Sequence, residues 1–458
     1  MKPTSTDATA AAAVDRRTGL LTEIEHYANP PEWPRTFSMS VGHVADTNLN
    51  GDWPADRMST GMVFASHAAA SRAAVGEALE RYCANFVPAG LPQASFAQLS
   101  AAGVRAIDPR SLRLYSDEQY ATEEFPFVPF TADLRVRWAA GRSMSSEAPM
   151  LAPAGIVFAN FHSTVYAGEP RTNALLFAGL AAGRSRREAE LAAMQEIIER
   201  DAVEIWWRAG GSACAVPEEL LPGLSAALSS QTDQFEYTVL AVPNRWQVPV
   251  VAVVLFDPEY DILAVGTAAR PEVLSAAYKA AAEAVSLRSY SKGLLDPAGG
   301  PWKAVELGLF GASLLKPFRS DRHYCDSFRS DFADMPDLCC NSQYYLDARA
   351  QQRVAHLRSP KETASPAVLR PVAGDVHEAY RQRLAELGHD PVSVDLTTPD
   401  VAAAGHSVVR VIAPGTYSNA AAGFPLRGGS RWCTEPQQLG LVEQPLDVTS
   451  PILPLPHT

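Results

Sequence analysis

The spacing of apolar residues along the chain predicts several long helices. The clearest is 66–86, an alanine-rich stretch in which apolar side chains recur every three to four positions. A second helix is predicted to begin at Ser185, which stands three residues before Glu188 as in a capping box. Similar patterns predict helices over 271–290, with a proline in the favoured first turn, and over 376–388.

Runs rich in β-branched residues predict strands between these helices. The predicted strands are 155–167, 236–242, 248–256, 261–269, 391–397 and 407–415. The polar, proline-containing segment 1–35 is predicted to be an extended arm, because proline removes a donor and biases its predecessor away from helix. The stretch 296–345 is rich in glycine, proline and aromatic residues and receives no assignment. The fold class is therefore α/β, with mixed sheets flanked by helices.

Composition narrows the classes of function. A chain of 458 residues that is 47% apolar and 20% charged is a folded protein, and its net charge of −12 argues against nucleic-acid binding. No apolar stretch approaches the ~18 residues that cross a membrane. The six cysteines form no C-x-x-C pair, so a zinc site is not expected. The first residues lack the hydrophobic region of an export signal, so we expect a cytoplasmic protein with reduced thiols.

The candidate chemistry lies in a repeated skeleton, Glu-x-x-Glu-Arg, which occurs at 77–81 and again at 196–200. At 100° per residue, Glu188 falls on the same face of the second helix as the later acidic pair, over about 16 Å, while Glu190 faces away. One reading is a solvated helix face with an ion pair of about 0.3–0.5 kcal/mol.

The apolar flanks of both skeletons favour a second reading, in which the carboxylates are buried. A buried, unpaired carboxylate costs several kcal/mol, so a cluster of them indicates a bound cation. Mg²⁺ binds carboxylates together with phosphate oxygens, and the arginines offer forked donors to phosphate. Glu283 and Arg288 form a third candidate, for which a surface ion pair is an equally good explanation.

These motifs resemble those of the YcaO family of ATP-dependent enzymes that modify peptide backbones. The matching segments are "AAVGEALERY", "GLAAGRSRREAELAAMQEIIERDAVEIWW", "AAEAVSLR" and "VVRVIAPG", in family order over roughly 60–415. The resemblance implies a YcaO-type fold with ATP and Mg²⁺ as cofactors. It implies an ATP- and phosphate-binding set of Ser71, Glu77, Arg81, Glu188, Arg200, Glu283 and Arg288, and a metal-binding set of Glu80, Glu196 and Glu199.

The C-terminus adds to the resemblance. Azoline-forming members commonly end in a P-x-P-x-P tail that reaches the active site, and this chain ends in "PILPLPHT". We therefore expect Pro454 and Pro456 to take part in catalysis, against the alternative of a frayed terminus. The implied organisation is an arm over 1–35, a catalytic domain over 36–450 and a proline-rich tail over 451–458.

The function that this resemblance implies is an ATP-dependent cyclodehydratase, which converts Cys, Ser or Thr of a ribosomally made precursor peptide to thiazoline or oxazoline. The alternatives are thioamide or amidine formation, or a non-catalytic member of a biosynthetic complex, since Ala73, Arg184 and Ser286 depart from the family pattern. The implied partners are the precursor peptide and a separate E1-like (ThiF-like) leader-binding protein, with a possible flavin dehydrogenase. We also expect a homodimer, and we expect the protein to bind neither nucleic acid nor a membrane.

Overall fold

The computed structural model describes residues 12–47, 56–230, 235–308, 311, 314–449 and 452–457. Its strands, labelled β1–β14 in chain order, are Leu21–His26, Phe37–Val44, Met58–Phe64, Gln93–Ala94, Val136–Ser143, Pro149–Pro153, Leu180–Gly183, Cys214–Ala215, Glu236–Ala241, Val250–Asp257, Ile262–Ala269, Glu362–Thr363, Val392–Asp395 and Ser407–Ile412. Its α-helices, labelled α1–α13, are His67–Asn85, Phe96–Ala101, Asp117–Tyr120, Ala154–Val157, Arg186–Arg208, Leu224–Leu228, Val273–Gly293, Gly300–Glu306, Cys339–Tyr344, Ala348–Arg353, Val376–Ala385, Pro399–Ala403 and Arg431–Gln438.

The strands form three sheets, which confirms the predicted mixed α/β class. The sheets have the orders β1-β2-β3, β11-β10-β9-β8-β12 and β4-β5-β13-β14-β7, with β6 also paired to β5. Pairing is antiparallel among the described strands except between β8 and β12. None of the described helices is both long and apolar enough to cross a membrane.

Three long helices each cover a sheet, and this packing positions the site. α1 lies on β2 and β3, α5 on β7 and β14, and α7 on β10 and β11. Two glycines permit the close approach: a Cβ on Gly61 would lie 1.9 Å from the carbonyl oxygen of Ala70, and one on Gly266 would lie 2.0 Å from that of Ala280. The alanine-rich faces of α1 and α7 therefore lie directly against their strands.

Four local predictions differ from the structure. Residues 155–167 form a short helix, α4, and a 3₁₀ turn rather than a strand, because their apolar side chains pack from successive turns into one core. Within the predicted arm, Leu21–His26 forms β1, and Leu21 is fully buried beneath α1. Pro271 precedes the first turn of α7, whose N-cap is Glu272. Only half of the capping box forms, as Ser185 Oγ accepts from Glu188 N while the Glu188 carboxylate binds Arg184 N.

The unassigned stretch 296–345 contributes to the largest hydrophobic core. It contains α8 and α9, and its residues Phe328 and Phe332 each contact the ring of Tyr344 edge-on. All six cysteines lie within the described residues and are free thiols.

Candidate functional site

An open cavity of about 730 Å³ lies where α1, α5 and α7 meet. Six of the residues predicted from the sequence line it: Glu77, Glu80, Arg81, Glu196, Arg200 and Glu283. The structure therefore brings most of both Glu-x-x-Glu-Arg skeletons and Glu283 of the third motif to one site, which we call the charged cavity.

The α1 residues are fixed by backbone donors of neighbouring strands. Glu77 Oε2 accepts a hydrogen bond of 2.8 Å from Thr60 N, and Glu80 Oε1 accepts one of 2.8 Å from Ala182 N. The guanidinium of Arg81 lies 3.8 Å from the ring centroid of Phe177, so it stacks on the ring. Each carboxylate thus has a defined position before any ligand binds.

On α5, Glu196 and Arg200 face the cavity while Glu199 lies behind Arg200. Glu196 Oε2 accepts from Gly179 N at 3.1 Å. Glu199 is 4% exposed; it accepts from Thr267 Oγ1 at 2.8 Å and lies 3.3 Å from Arg200 Nη1. Glu199 therefore orients Arg200.

The raised pKa values of two cavity carboxylates, Glu80 and Glu196, favour binding of a cation. Burial, together with the nearby carboxylates of Glu196 and Glu77, raises the pKa of Glu80 to about 8. Burial and the neighbouring Glu199 also raise the pKa of Glu196, although Arg200 opposes this. A divalent cation between such groups would replace the protons they hold, and carboxylate oxygens are the ligands that Mg²⁺ prefers.

Both Arg81 and Arg200 of the charged cavity carry a buried N–H donor that no described residue satisfies. Arg81 Nη1 and Arg200 Nε are both buried and lack a hydrogen-bond partner. An unmet buried N–H on a guanidinium is costly, and phosphate oxygens match its geometry. The donor set of the charged cavity therefore fits a nucleotide phosphate group together with Mg²⁺.

Two further cavity residues were not predicted, Lys279 and His457. Lys279 Nζ lies 2.9 Å from Glu283 Oε1, one helical turn away. His457 Nε2 lies 3.3 Å from Glu283 Oε2 and 3.2 Å from Arg200 Nη1. Burial alone would raise the pKa of Glu283, but Lys279, His457 and Arg200 hold it well below its usual range. The i,i+4 spacing could have revealed Lys279, whereas no local pattern marks His457.

The single Nε2 atom of His457 has two competing contacts. A neutral imidazole nitrogen either donates or accepts, so Nε2 can donate to Glu283 or accept from Arg200 but cannot do both at once. One ligand atom each of Glu199, Glu283 and His457 lie within 4.8 Å of one another. The imidazole of His457 thus contacts both the guanidinium of Arg200 and the carboxylate of Glu283.

The C-terminal tail is built into the core rather than frayed. The carbonyl oxygen of Pro456 accepts from Val265 N at 3.0 Å, and that of Pro454 accepts from Tyr345 Oη at 2.6 Å. Both prolines are buried, and neither lines the charged cavity. His457 brings the tail to the charged cavity, while the prolines fix its path. The catalytic role expected of Pro454 and Pro456 stays a prediction.

Three predicted residues lie elsewhere. Glu188 lines a smaller neighbouring cavity, because it belongs to the first turn of α5 and pairs with Arg184 at 2.9 Å. Arg288 is fully buried against Asp257, with Nε 2.7 Å from Oδ2, so it stabilises the β10–α7 contact. Ser71 Oγ donates to His67 O within α1 at 2.8 Å. None of the three lines the charged cavity.

Comparison with known proteins decides the family. A family model described as "YcaO cyclodehydratase, ATP- and Mg²⁺-binding" matches residues 64–417. The chain belongs to the YcaO family. Its fold is the YcaO fold, and the cofactors of the family are ATP and Mg²⁺. No curated protein sequence matches the chain.

Solved structures share the fold at low sequence identity. A heterocyclase in complex with substrate and cofactor is 18% identical with a TM-score of 0.65, over 98% of this chain and 57% of that one. YcaO from Methanopyrus kandleri bound with AMPPCP and Mg²⁺ is 18% identical with a TM-score of 0.54, over 87% and 86%. The E. coli microcin synthetase McbBCD complex is 10% identical with a TM-score of 0.53, over 88% and 90%. The chain thus spans little more than half the length of the first structure.

Proposed function

We propose that this protein is an ATP-dependent cyclodehydratase that converts Cys, Ser or Thr of a ribosomally made precursor peptide to thiazoline or oxazoline. The observation that carries the proposal is the charged cavity. It combines carboxylates of raised pKa, Glu80 and Glu196, with unmet donors on Arg81 and Arg200.

The chain supplies binding and charge stabilisation to this reaction. Glu80 and Glu196 would hold Mg²⁺. Arg81 and Arg200 would donate to the phosphate oxygens. Glu199, which the family resemblance assigns to the metal, does not line the charged cavity and would orient Arg200 instead. ATP supplies the phosphoryl group that converts an amide oxygen, otherwise a very poor leaving group, into phosphate. The arginines stabilise the charge that develops during phosphoryl transfer, and their fixed positions on α1 and α5 reduce the cost of reorganisation.

The nucleophile comes from the substrate in this proposal. The side chain of the precursor's Cys, Ser or Thr adds to the preceding amide carbon, and its proton is lost to solvent. The amide oxygen leaves as phosphate, and the amide nitrogen loses its proton as the C=N bond of the ring forms, so the peptide loses one water in total per ring. The six free cysteines of the protein have no part in this balance.

The partners follow from the same proposal. A separate E1-like leader-binding protein would deliver the precursor, and a flavin dehydrogenase would oxidise the azoline where an azole is made. The fold likeness to a chain of the microcin synthetase complex supports assembly with other proteins. Homodimerisation, the cytoplasmic location and the division into arm, catalytic domain and tail remain predictions.

The test is mass spectrometry of the cognate precursor after incubation with the protein, its leader-binding partner, ATP and Mg²⁺. We expect the mass of one water to be lost per modified residue. Glu196→Gln should abolish the loss, while the matched exposed control Glu218→Gln should retain it.

Other outcomes of the same experiment contradict the proposal in defined ways. Replacement of oxygen by sulfur would show thioamide formation. An unchanged mass in a complex that assembles and binds ATP would assign the protein a non-catalytic role.

A further inference from the structure

A second cavity, of about 650 Å³, adjoins the charged cavity. Five side chains line both: Glu77, Arg81, Glu196, Arg200 and Cys339. The wall between the two cavities therefore includes Glu196 and the two arginines proposed to bind phosphate, Arg81 and Arg200. One cavity lies on each side of this shared wall.

The two spaces differ in chemistry. Away from the shared wall, the charged cavity carries Arg72, Lys279 and Glu283. Away from the shared wall, most residues that line the second cavity are apolar, among them Leu175, Phe177, Leu314, Pro336 and Leu338. Its polar residues there are Asp56, Arg57, Asp337 and Asn419. A mostly apolar lining with a few polar groups suits a peptide segment better than a phosphate chain. We call this space the apolar cavity.

The wall of the apolar cavity is held rigidly. The buried guanidinium of Arg410 donates to the carbonyl oxygen of Leu176, to that of Phe177 at 2.7 Å and to that of Ala178 at 3.1 Å. Tyr115 Oη accepts from Ala174 N at 3.0 Å. This segment therefore keeps its shape without a ligand, and a preformed wall lowers the entropic cost of binding.

One side chain of this segment is exposed without an evident structural reason. Leu175 is 45% exposed although it stands between residues that are tied down on both sides. A large apolar side chain on a rigid wall beside the phosphate-binding arginines offers a contact surface to a second substrate.

We propose that the apolar cavity holds the precursor segment that contains the residue to be modified, as an extended backbone with an apolar side chain against Leu175. The proposal rests on the proposed function and names the substrate subsite of that same site. A nucleotide that fills the charged cavity leaves only the other side of the shared wall for the amide oxygen to approach. The side-chain amide of Asn419 can bind the peptide backbone there.

The first arm of the test measures peptide processing in the full chain with its partner. Leu175→Asp should raise the KM for the precursor about tenfold or more, by placing a charge against an apolar contact. Its affinity for an ATP analogue with Mg²⁺ should stay within about twofold. The matched control is Val165→Asp, since Val165 is apolar and 86% exposed but lines neither cavity. An unchanged KM in Leu175→Asp would overturn the proposal.

The second arm reads binding independently of turnover. A photo-crosslinking amino acid at position 175 should capture the precursor, and excess unlabelled precursor should suppress the adduct, whereas the same group at position 165 should give none. Equal capture at both positions, or none at 175, would overturn the subsite. If the peptide crosslinks at 175 yet loses no water, the subsite stands and the proposed reaction fails.

Discussion

Helix α5 carries two carboxylates, Glu196 and Asp201, whose surroundings differ. On one face, Asp201 accepts from Trp246 Nε1 at 2.9 Å and from Tyr417 N at 2.7 Å, and also pairs with Arg431. On the cavity face, the backbone N–H of Gly179 is the only hydrogen-bond donor that the described residues offer to Glu196, and none of them accepts from the buried Nε of Arg200.

The difference separates structural charge from functional charge. Asp201 is saturated by partners that the fold itself supplies, so nothing remains for it to bind. Glu196 and its neighbour Glu80 have raised pKa values because burial and the adjacent carboxylates outweigh the opposing charges of Arg200 and Arg81. A ligand that brings a cation to these two carboxylates and phosphate to Arg81 and Arg200 would complete the hydrogen bonds and the charge balance of the site.

The largest effect should come from breaking the saturated set. Asp201→Asn leaves the buried guanidinium of Arg431 without its main counter-charge, so the free energy of unfolding should fall by about 3–5 kcal/mol. Glu196→Gln should leave that free energy unchanged or raise it, because it removes a group that resists ionisation. Urea denaturation of both variants beside the wild type checks this. Equal losses would erase the distinction between the two faces.

Ligand binding should show the reverse order. Glu196→Gln and Arg200→Ala should each weaken binding of an ATP analogue with Mg²⁺ about 100-fold, since each removes a charge that contacts the ligand directly. Arg186→Ala, at the N-terminal end of α5 where Arg186 pairs with Glu190, is the matched arginine control. Calorimetric titration gives the affinities, and loss of binding in the control would argue against a localised site.

The pH dependence of stability offers a third test on the ligand-free protein. The folded-state pKa of Glu80, about 8, lies above the ordinary glutamate value of 4.5. Its stabilising contribution is therefore present below pH 4.5 and is lost as pH rises through 8. Between pH 6 and pH 8 the wild type should lose about 2 kcal/mol of unfolding free energy relative to Glu80→Gln. Parallel profiles for the two proteins would show that Glu80 ionises freely.

His457 sharpens the comparison by adding a group from the tail. His457→Ala removes the contacts to Glu283 and Arg200, so kcat should fall about tenfold, with a smaller change in the KM for ATP. His457→Gln retains a donor and an acceptor and should restore part of the rate. The exposed His323→Ala serves as a control. A rate for His457→Gln as low as that for His457→Ala would remove the positioning role.

The smallest effect is expected at Glu188, despite its place in the sequence motif. Its carboxylate pairs with Arg184 near solvent, so Glu188→Gln should change the free energy of unfolding by no more than about 0.5 kcal/mol. Nucleotide affinity should change far less than in Glu196→Gln. A 100-fold loss of affinity would place Glu188 in the site after all.

Local spacing was sufficient where a helix alone determines which residues converge. The face on which each skeleton lies in α1 and α5 follows helical periodicity, whereas their meeting in one site was implied by the resemblance to the YcaO family. Arg288 could not be placed, because its partner Asp257 lies 31 positions away on β10. His457 could not be found either, since it meets Glu283 across 174 positions through the path of the tail. Contacts set by sheet topology leave no local signature in the sequence.

The central claim is that the unsaturated carboxylates of the charged cavity bind Mg²⁺ with the nucleotide. The most direct measurement is the number of protons released when an ATP analogue and Mg²⁺ bind, obtained by calorimetry in buffers of different ionisation enthalpy. At pH 7.5 we expect the wild type to release about one proton on binding. At pH 9.5, where Glu80 is already ionised, the number released should fall towards zero. Binding without proton release at pH 7.5 would contradict it.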